Sequence, residues 1–168
     1  MANWVVEVLA KEHERSHFRC GHAALDDFLK KYASQYAKRK LGTTHVAVTA
    51  GQKRILGYFT LAPSHFEFAN APPALLKGLP KHPIPTLLLA RLAVDQSEQG
   101  KGLGKFLLLS ALERCVQIGH EVAFRAIEVE AIDDAAAAFY RKYGFLPFPT
   151  DPHHLALPLE CVQTILAE

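Results

Sequence analysis

Residues 92–104 read LAVDQSEQGKGLG, which is an apolar run, a short polar loop and three alternating glycines. Glycine lets backbone N–H groups approach a ligand closely because no Cβ intervenes. Free N–H groups at the start of a helix, with the helix dipole behind them, form an anion-binding site. The spacing Gln-x-x-Gly-x-Gly, from Gln99 to Gly104, is neither the dinucleotide fingerprint nor the P-loop. The stretch therefore predicts either an anion-binding site or a glycine-rich strand-to-helix turn that binds nothing.

The composition is that of a folded protein with one core. The chain has 168 residues, 49% of them hydrophobic, so we expect a single domain over residues 1–168. Nineteen Lys and Arg residues against seventeen Asp and Glu residues give a net charge of only +2. Total charge therefore does not indicate a nucleic-acid-binding protein, and such a function would have to depend on local basic clusters.

Cysteine usage and the amino terminus predict a cytoplasmic protein. Cys20, Cys115 and Cys161 are far apart and form no Cys-x-x-Cys pair, so neither a disulfide framework nor a zinc site is expected. The nine histidines are scattered, and we assign no metal. The first residues lack the pattern of a signal peptide, and the apolar run at 87–94 is too short to span a bilayer, so no membrane association is expected.

Hydrophobic periodicity predicts a chain of alternating strands and helices. Strands are expected at 4–9, 44–50, 54–62, 87–94, 125–132, 146–148 and 155–159. Helices are expected from Leu25 to a stop at Gly42, over 102–118, and over 135–143 with Gly144 as the stop. The proline-rich stretch 64–85 is interpreted as a mobile surface connection with one short helix, Pro73–Lys77, and the pair His153-His154 as part of a loop. The strand at 125–132 is expected to have one apolar face, with Glu128 on the polar one.

Residues 133–145, DDAAAAFYRKYGF, form the second informative segment. Asp133 or Asp134 can cap the helix, and small residues on one helix face permit close approach to a ligand. Tyr140 supplies a hydroxyl on a rigid support. Taken alone, the segment is more typical of an alanine-rich helix packed in a core.

The two segments follow each other in the order that is typical of the GCN5-related N-acetyltransferase (GNAT) family, which this chain resembles. In that family the second pattern is Asn-x-x-Ala-x-x-x-Tyr-x-x-x-Gly-Phe, which Ala136, Tyr140, Gly144 and Phe145 match. Asp133 stands where asparagine is usual, and an ionised carboxylate can accept hydrogen bonds but cannot donate them. The resemblance implies an α/β (α+β) fold, in which helices flank a central mixed, mostly antiparallel sheet with a splayed parallel strand pair.

Three further stretches narrow the resemblance to one branch of this family. Residues 18–29, 55–61 and 89–95 look like the acetyltransferase toxins of type II toxin–antitoxin modules. The resemblance implies acetyl-CoA as co-substrate, the α-amine of an aminoacyl-tRNA as acceptor, and a small ribbon-helix-helix antitoxin as partner. A homodimer is a further expectation.

The resemblance also assigns roles to residues. Tyr140 would be the general acid for the departing thiolate, its alternative being a buried tyrosine bonded to a backbone carbonyl. Backbone N–H groups of Gly100–Gly104 would hold the pyrophosphate with help from Lys105, and the end of the strand Leu92–Val94 would offer an oxyanion-type donor. The predicted coenzyme contacts are Leu92, Ala93, Val94, Gln99, Gly100, Lys101, Gly102, Leu103, Gly104, Lys105, Asp133, Ala136 and Phe139.

Acceptor recognition is predicted from charge. Arg91 lies within an apolar strand and must face a partner or a cleft, so we expect it to contact the substrate or the coenzyme. Lys38, Arg39 and Lys40 are either tRNA contacts or a solvated helix end. No general base is identified, and Asp95 and Glu98 are interpreted as residues that cap or solvate the loop. The pKa of an α-amine is about 8, whereas that of a lysine side chain is about 10.4. A larger fraction of an α-amine is therefore already neutral at pH 7, so an α-amino acceptor depends less on a general base.

Two alternatives remain at this point. One is an acetyltransferase for a small-molecule amine or a protein amino terminus, which would not depend on the basic cluster. The other is a non-catalytic acyl-CoA-binding module, which the presence of Tyr140 disfavours.

Overall fold

The computed structural model describes residues 2–168. The strands are β1 (Trp4–Val8), β2 (Thr43–Thr49), β3 (Gly57–Phe66), β4 (Ile84–Val94), β5 (Ala126–Glu130), β6 (Leu146–Phe148) and β7 (Asp151–Pro158). The α-helices are α1 (Ala23–Asp27), α2 (Ala33–Lys38), α3 (Leu103–Gly119), α4 (Asp134–Lys142) and α5 (Leu159–Leu166). The strand order is β1-β2-β3-β4-β5-β7-β6. No helix within residues 2–168 is long and apolar enough to cross a membrane.

Contacts along the chain define two compact units. Unit 1 contains residues 2–62 and 91–111, and unit 2 contains Pro63–Ala90 and Leu112–Glu168. In unit 1, β2 pairs antiparallel with both β1 and β3. The rings of Phe18 and Phe28 both pack against Tyr58, and all three side chains are almost completely buried. A Cβ at Gly57 would lie 2.7 Å from Leu107 of α3, so glycine is required where the helix approaches the sheet.

The predicted helix from Leu25 to Gly42 is interrupted and ends earlier. Residues Phe28–Tyr32 form a π-helical segment between α1 and α2. The chain turns at Lys40, whose φ of 60° is left-handed. Leu41 N–H donates to the carbonyl of Tyr36 at 2.9 Å and Lys40 N–H to that of Ala37 at 3.2 Å, which is a Schellman motif. The prediction that Gly42 is the stop was wrong because a lysine takes the left-handed position that glycine usually occupies.

Unit 2 contains the parallel strand pair. β4 pairs parallel with β5, β5 antiparallel with β7, and β7 antiparallel with β6. β7 begins at Asp151, so the interpretation of His153 and His154 as loop residues was wrong. The pattern predicts a strand at 155–159 as the last element, whereas Pro158 precedes a further helix, α5, which buries Val162.

The interpretation of residues 64–85 as a surface connection was wrong in part. β3 continues to Phe66, β4 begins at Ile84, and two short 3₁₀ turns, Phe68–Asn70 and Pro73–Leu75, lie between them. Phe66, Leu75 and Ile84 are buried in a cluster that includes Phe148. The prolines interrupt the hydrophobic periodicity of residues 64–85. The sequence pattern therefore does not reveal which apolar side chains cover this part of the sheet. Arg54, where a strand was expected to begin, forms only an isolated bridge with Glu14.

Candidate active site

Asp95 fixes the turn that precedes the glycine loop, Gly100–Gly104, in unit 1. Its carboxylate accepts hydrogen bonds from the backbone N–H of Arg19 at 2.9 Å and of Ser97 at 3.1 Å. Burial opposes ionisation of Asp95, but the hydrogen bonds from Ser97 and Arg19 outweigh it and lower the pKa of this carboxyl group. Asp95 therefore caps the turn before the loop, as the sequence predicted.

Gln99 also acts on the protein's own backbone. Its side-chain amide donates to the carbonyl of Cys20 at 2.9 Å and to that of Val94 at 3.0 Å. These bonds connect the end of β4, the loop and the segment before α1. A coenzyme contact by Gln99 would therefore use its backbone, because the side-chain donors are already occupied.

The glycines that follow expose their backbone. Gly100 and Gly102 have φ angles of 80° and 89°, and an added Cβ at either would meet nothing within 4 Å. α3 begins directly after them, at Leu103, so the first N–H groups of a 17-residue helix lack intrahelical partners. Lys101 is paired with Glu98 at 2.9 Å, which leaves Lys105 as the exposed cation of the loop. Exposed N–H groups beside open space fit an anion such as a pyrophosphate.

Arg91 has an aromatic partner in unit 1. The guanidinium carbon lies 3.6 Å from the centroid of the Phe28 ring and 5.6 Å from that of Tyr36. Phe28 belongs to the π-helical segment, so the irregular turn brings the ring beneath the arginine. The stack covers a face of the guanidinium and leaves its N–H edge for a ligand oxygen.

α4 in unit 2 carries the second motif. The Asp133 carboxylate accepts the N–H of Ala136 at 2.8 Å and caps the helix, as predicted. Gly144, with φ of 96°, ends the turn, as predicted. Tyr140 is 6% exposed, and its ring packs edge-on against Phe139 and Phe145. Burial raises the pKa of Tyr140, so its hydroxyl keeps its proton at neutral pH.

A buried polar network in unit 2 was missed in the sequence. Glu128 is 3% exposed on β5 and accepts hydrogen bonds from Thr86 and His154. The expectation that Glu128 lies on a polar outer face was wrong because Thr86 of β4 and His154 of β7 supply partners that an isolated strand pattern cannot show. The available signal was Thr86, a hydroxyl group at the start of an otherwise apolar strand.

The predicted site residues divide between the two units. Unit 1 holds Arg91, the strand end, the glycine loop and Lys105, together with the exposed residues Lys38, Arg39 and Lys40. Unit 2 holds Asp133, Ala136, Phe139 and Tyr140. Within residues 2–168, no cluster of three or more His, Cys, Asp or Glu side chains is arranged to hold a metal ion.

Comparison with known proteins agrees with this geometry. The model of the acetyltransferase (GNAT) family matches residues 6–145. A tRNA-acetylating toxin of Mycobacterium tuberculosis is 40% identical over 151 residues, covering 90% of this chain and 89% of that protein.

Two solved structures extend the comparison. The structure of AtaT complexed with acetyl-methionyl-tRNAfMet has a TM-score of 0.88 at 28% identity, covering 96% of this chain and 98% of the other. A Tyr-to-Phe variant of AtaT, bound to the C-terminus of the antitoxin AtaR and to acetyl-CoA, has a TM-score of 0.83 at 26% identity, covering 99% of each chain. The predicted fold class, a mixed sheet with one parallel pair flanked by helices, is confirmed.

Proposed function

This chain belongs to the GNAT acetyltransferase family, and we propose that it acetylates the α-amine of an aminoacyl-tRNA and so blocks translation. The family makes it an acetyl-CoA-dependent N-acetyltransferase. The acceptor is inferred from one observation above all: 40% identity over 90% of the chain to a tRNA-acetylating toxin.

The glycine loop is the proposed coenzyme site. The N–H groups of Gly100 and Gly102 and of the first turn of α3 would bind the pyrophosphate, with Lys105 adding positive charge. Acetyl-CoA supplies the activated thioester. The strand end Leu92–Val94 would offer a backbone N–H to the thioester oxygen, where negative charge develops.

Tyr140 is the proposed proton donor. Burial raises its pKa, so the phenol is fully protonated at neutral pH and can transfer its proton to the departing thiolate. Phe139 and Phe145 contact its ring and fix its direction. The position of the ring therefore depends on packing, and its function depends on the hydroxyl.

Basic residues of unit 1 are the proposed tRNA contacts. Lys38, Arg39 and Lys40 are exposed at the end of α2, and Arg91 presents the edge of a stacked guanidinium. Arginine and lysine side chains of this kind bind phosphate oxygens, so a local cluster can compensate for a net charge of only +2.

The proposal also specifies partners and place. AtaT is bound by the C-terminus of its antitoxin AtaR, and we infer that a ribbon-helix-helix antitoxin neutralises this chain in the same manner. Charged tRNA is used in the cytoplasm, so we place the protein there. A homodimer stays a prediction.

The test is incubation of bulk aminoacyl-tRNA with the protein and acetyl-CoA, followed by mass spectrometry of the released aminoacyl groups. We expect acetylated aminoacyl ester with the unmodified chain and almost none with Tyr140→Phe. Amino-acid esters and short peptides serve as small-amine controls. If these react as efficiently as charged tRNA, the enzyme acetylates small amines or protein amino termini instead.

A further inference from the structure

Arg91 is a half-buried cation of unit 1 whose partners are aromatic rings. Its guanidinium carbon lies 3.6 Å from the centroid of the Phe28 ring and 5.6 Å from that of the Tyr36 ring. Within residues 2–168, the guanidinium group forms no ion pair and no hydrogen bond with another side chain. A ring face contacts the flat side of a guanidinium group, whereas its five N–H donors point outward in the plane. These donors are therefore available to a ligand.

The π-helical segment Phe28–Tyr32 brings the two rings together. In a regular α-helix, with 3.6 residues per turn, two residues eight positions apart are separated by about 80° around the axis. A π-helical turn takes up one extra residue, so Phe28 and Tyr36 lie as if seven positions apart, about 20° from each other. Their rings are accordingly in edge-on contact, with centroids 5.1 Å apart and planes at 86°. The irregular turn thus places both rings on the helix face that meets Arg91.

The ring closer to Arg91 is fixed by the core of unit 1. Phe28 is 3% exposed, and the ring of Tyr58 lies nearly parallel to it, with centroids 6.3 Å apart. The Tyr58 hydroxyl in turn donates a hydrogen bond of 2.6 Å to the carbonyl of Leu25 in α1. A buried ring held in this way restricts the long arginine side chain before any ligand arrives. Less side-chain entropy is then lost when the guanidinium group binds.

The same helical element carries the exposed basic residues. Tyr36 belongs to α2, and Lys38, Arg39 and Lys40 follow it at the exposed end of that helix. The planar fork of a guanidinium group matches the two unesterified oxygens of a phosphodiester. The ligand that suits the stacked Arg91 and the basic helix end together is a polyanion with repeated phosphates.

We propose that Phe28 and Tyr36 are positioning residues, which hold the guanidinium group of Arg91 in the orientation that binds one phosphate of tRNA. The inference rests on the proposed function and deepens it by explaining why unit 1 has a π-helical turn next to β4. In this arrangement Arg91 contacts the phosphate, and the two rings act only through Arg91.

A double-mutant cycle on tRNA binding tests whether the ring acts through the arginine. The affinity for uncharged bulk tRNA is measured by fluorescence anisotropy for Phe28→Leu, Arg91→Gln and the double variant. We expect losses of about tenfold to a hundredfold for Arg91→Gln and about five- to tenfold for Phe28→Leu. The double variant should bind no more weakly than Arg91→Gln alone. All three should lower the salt slope by about 0.7–0.9, the contribution of one phosphate.

Phe18→Leu is the matched control for loss of a buried ring. Phe18 is completely buried and packs against Tyr58, as Phe28 does, but its ring is not among those stacked on Arg91. Thermal unfolding measures how far each leucine variant is destabilised. Phe18→Leu should lower the melting temperature, whereas its tRNA affinity and salt slope should equal those of the unmodified chain.

Kinetics on charged tRNA separate binding from chemistry. Phe28→Leu should raise KM for charged tRNA about as much as it lowers tRNA affinity, and kcat should be unchanged. Tyr36→Phe keeps the ring and should have the KM of the unmodified chain, whereas Tyr36→Leu removes the ring and should raise KM. The affinity for acetyl-CoA, measured by calorimetry, should be the same in every variant.

Four results would overturn the assignment. The first is a tRNA affinity of Arg91→Gln within threefold of the unmodified chain, and the second is a double variant whose losses add. The third is a loss of acetyl-CoA affinity in Arg91→Gln, which would make Arg91 a coenzyme contact. The fourth is a weakened affinity for a glutamate-rich peptide at unchanged tRNA affinity, which would make it a contact for an acidic protein. If the unmodified chain acetylates no charged tRNA, the proposed function fails, and binding of uncharged tRNA still decides the role of Arg91.

Discussion

The side-chain amide of Gln99 donates a hydrogen bond to the carbonyl of Cys20, 79 residues earlier in the chain. The same amide bonds the carbonyl of Val94, the last residue of β4. One side chain therefore holds the strand end and the segment before α1 in a fixed relation to the glycine loop. The glutamine of the Gln-x-x-Gly-x-Gly spacing thus positions the loop.

Gln99→Glu should destabilise the loop and weaken coenzyme binding. A carboxylate cannot donate to the two carbonyls, and it adds negative charge where a pyrophosphate is to bind. We expect a loss of about 1 kcal/mol in the free energy of unfolding and at least a tenfold loss of acetyl-CoA affinity. The exposed Gln52, in the turn after β2, gives the matched control Gln52→Glu. Equal coenzyme affinities for the two variants would contradict a positioning role.

Gly102→Ala should weaken coenzyme binding beyond what backbone strain explains. Gly102 and Gly51 have φ angles of 89° and 81°, and an added Cβ at either position meets nothing within 4 Å. Alanine at each should therefore lose the same free energy of unfolding, about 1–2 kcal/mol. Only the Gly102 variant should lose acetyl-CoA affinity in calorimetry. An affinity as high as that of Gly51→Ala would show that nothing binds over the loop.

Local patterns predicted most of the fold. The strand at 146–148 and the helix over 103–119 follow from period and from glycine or capping residues near their ends. The loop and α4 were predictable because their chemistry resides in contiguous residues. One error is local: Lys40 takes the left-handed position of a Schellman turn that glycine usually occupies. Other errors occurred where distant residues decide the structure, as for Phe66 and Leu75, which are buried by strands far away in sequence.

The buried polar network of unit 2 was missed because it also depends on distant residues. Glu128, His154 and Thr86 lie on three different strands, and no spacing relates them. An alternating strand pattern places Glu128 towards solvent, because it takes no account of a donor arriving from another strand. Only the pairing of β5 with β4 and β7 brings these groups together.

Tyr140→Phe should reduce turnover without reducing coenzyme affinity. The substitution keeps the ring contacts with Phe139 and Phe145 and removes only the hydroxyl, so a fall of about 10²–10⁴-fold is expected. Tyr143→Phe, on the next turn, is the matched control. Because burial raises the pKa of Tyr140, the folded state retains this proton above pH ~10, where the unfolded chain loses it. Its contribution to stability is therefore present below that pH and lost above it, and Tyr140→Phe should reduce the alkaline loss. A turnover change below threefold would assign Tyr140 to packing.

Only one of the three thiols should react in the native state. Burial raises the pKa of Cys20 to about 11 and that of Cys115 to about 12, whereas Cys161 is exposed. Because the thiolate is the reactive form, a disulfide reagent at pH 8 should label Cys161 rapidly and the other two only on unfolding. Cys161→Ser should abolish the fast phase. Fast labelling of a second thiol would show that unit 1 or unit 2 opens readily at that cysteine.

Reversing the charge at the end of α2 should weaken acetylation of tRNA and lower its dependence on salt. Lys38 and Arg39 are exposed there, and each contact with a phosphate contributes counterion release, so log affinity falls with log salt by about 0.7–0.9 for every phosphate neutralised. Lys38→Glu/Arg39→Glu should reduce this slope by about one to two units and leave acetyl-CoA affinity unchanged. Lys40 is left in place because its φ of 60° is already strained for a side chain other than glycine or asparagine.

The double variant Lys77→Glu/Lys81→Glu, at two exposed positions of unit 2, changes the net charge by the same amount and is the matched control. If both double variants weaken tRNA acetylation equally, total charge governs binding and the end of α2 is a solvated helix terminus. If neither does and alanine methyl ester reacts as well as charged tRNA at every salt concentration, the acceptor is a small amine.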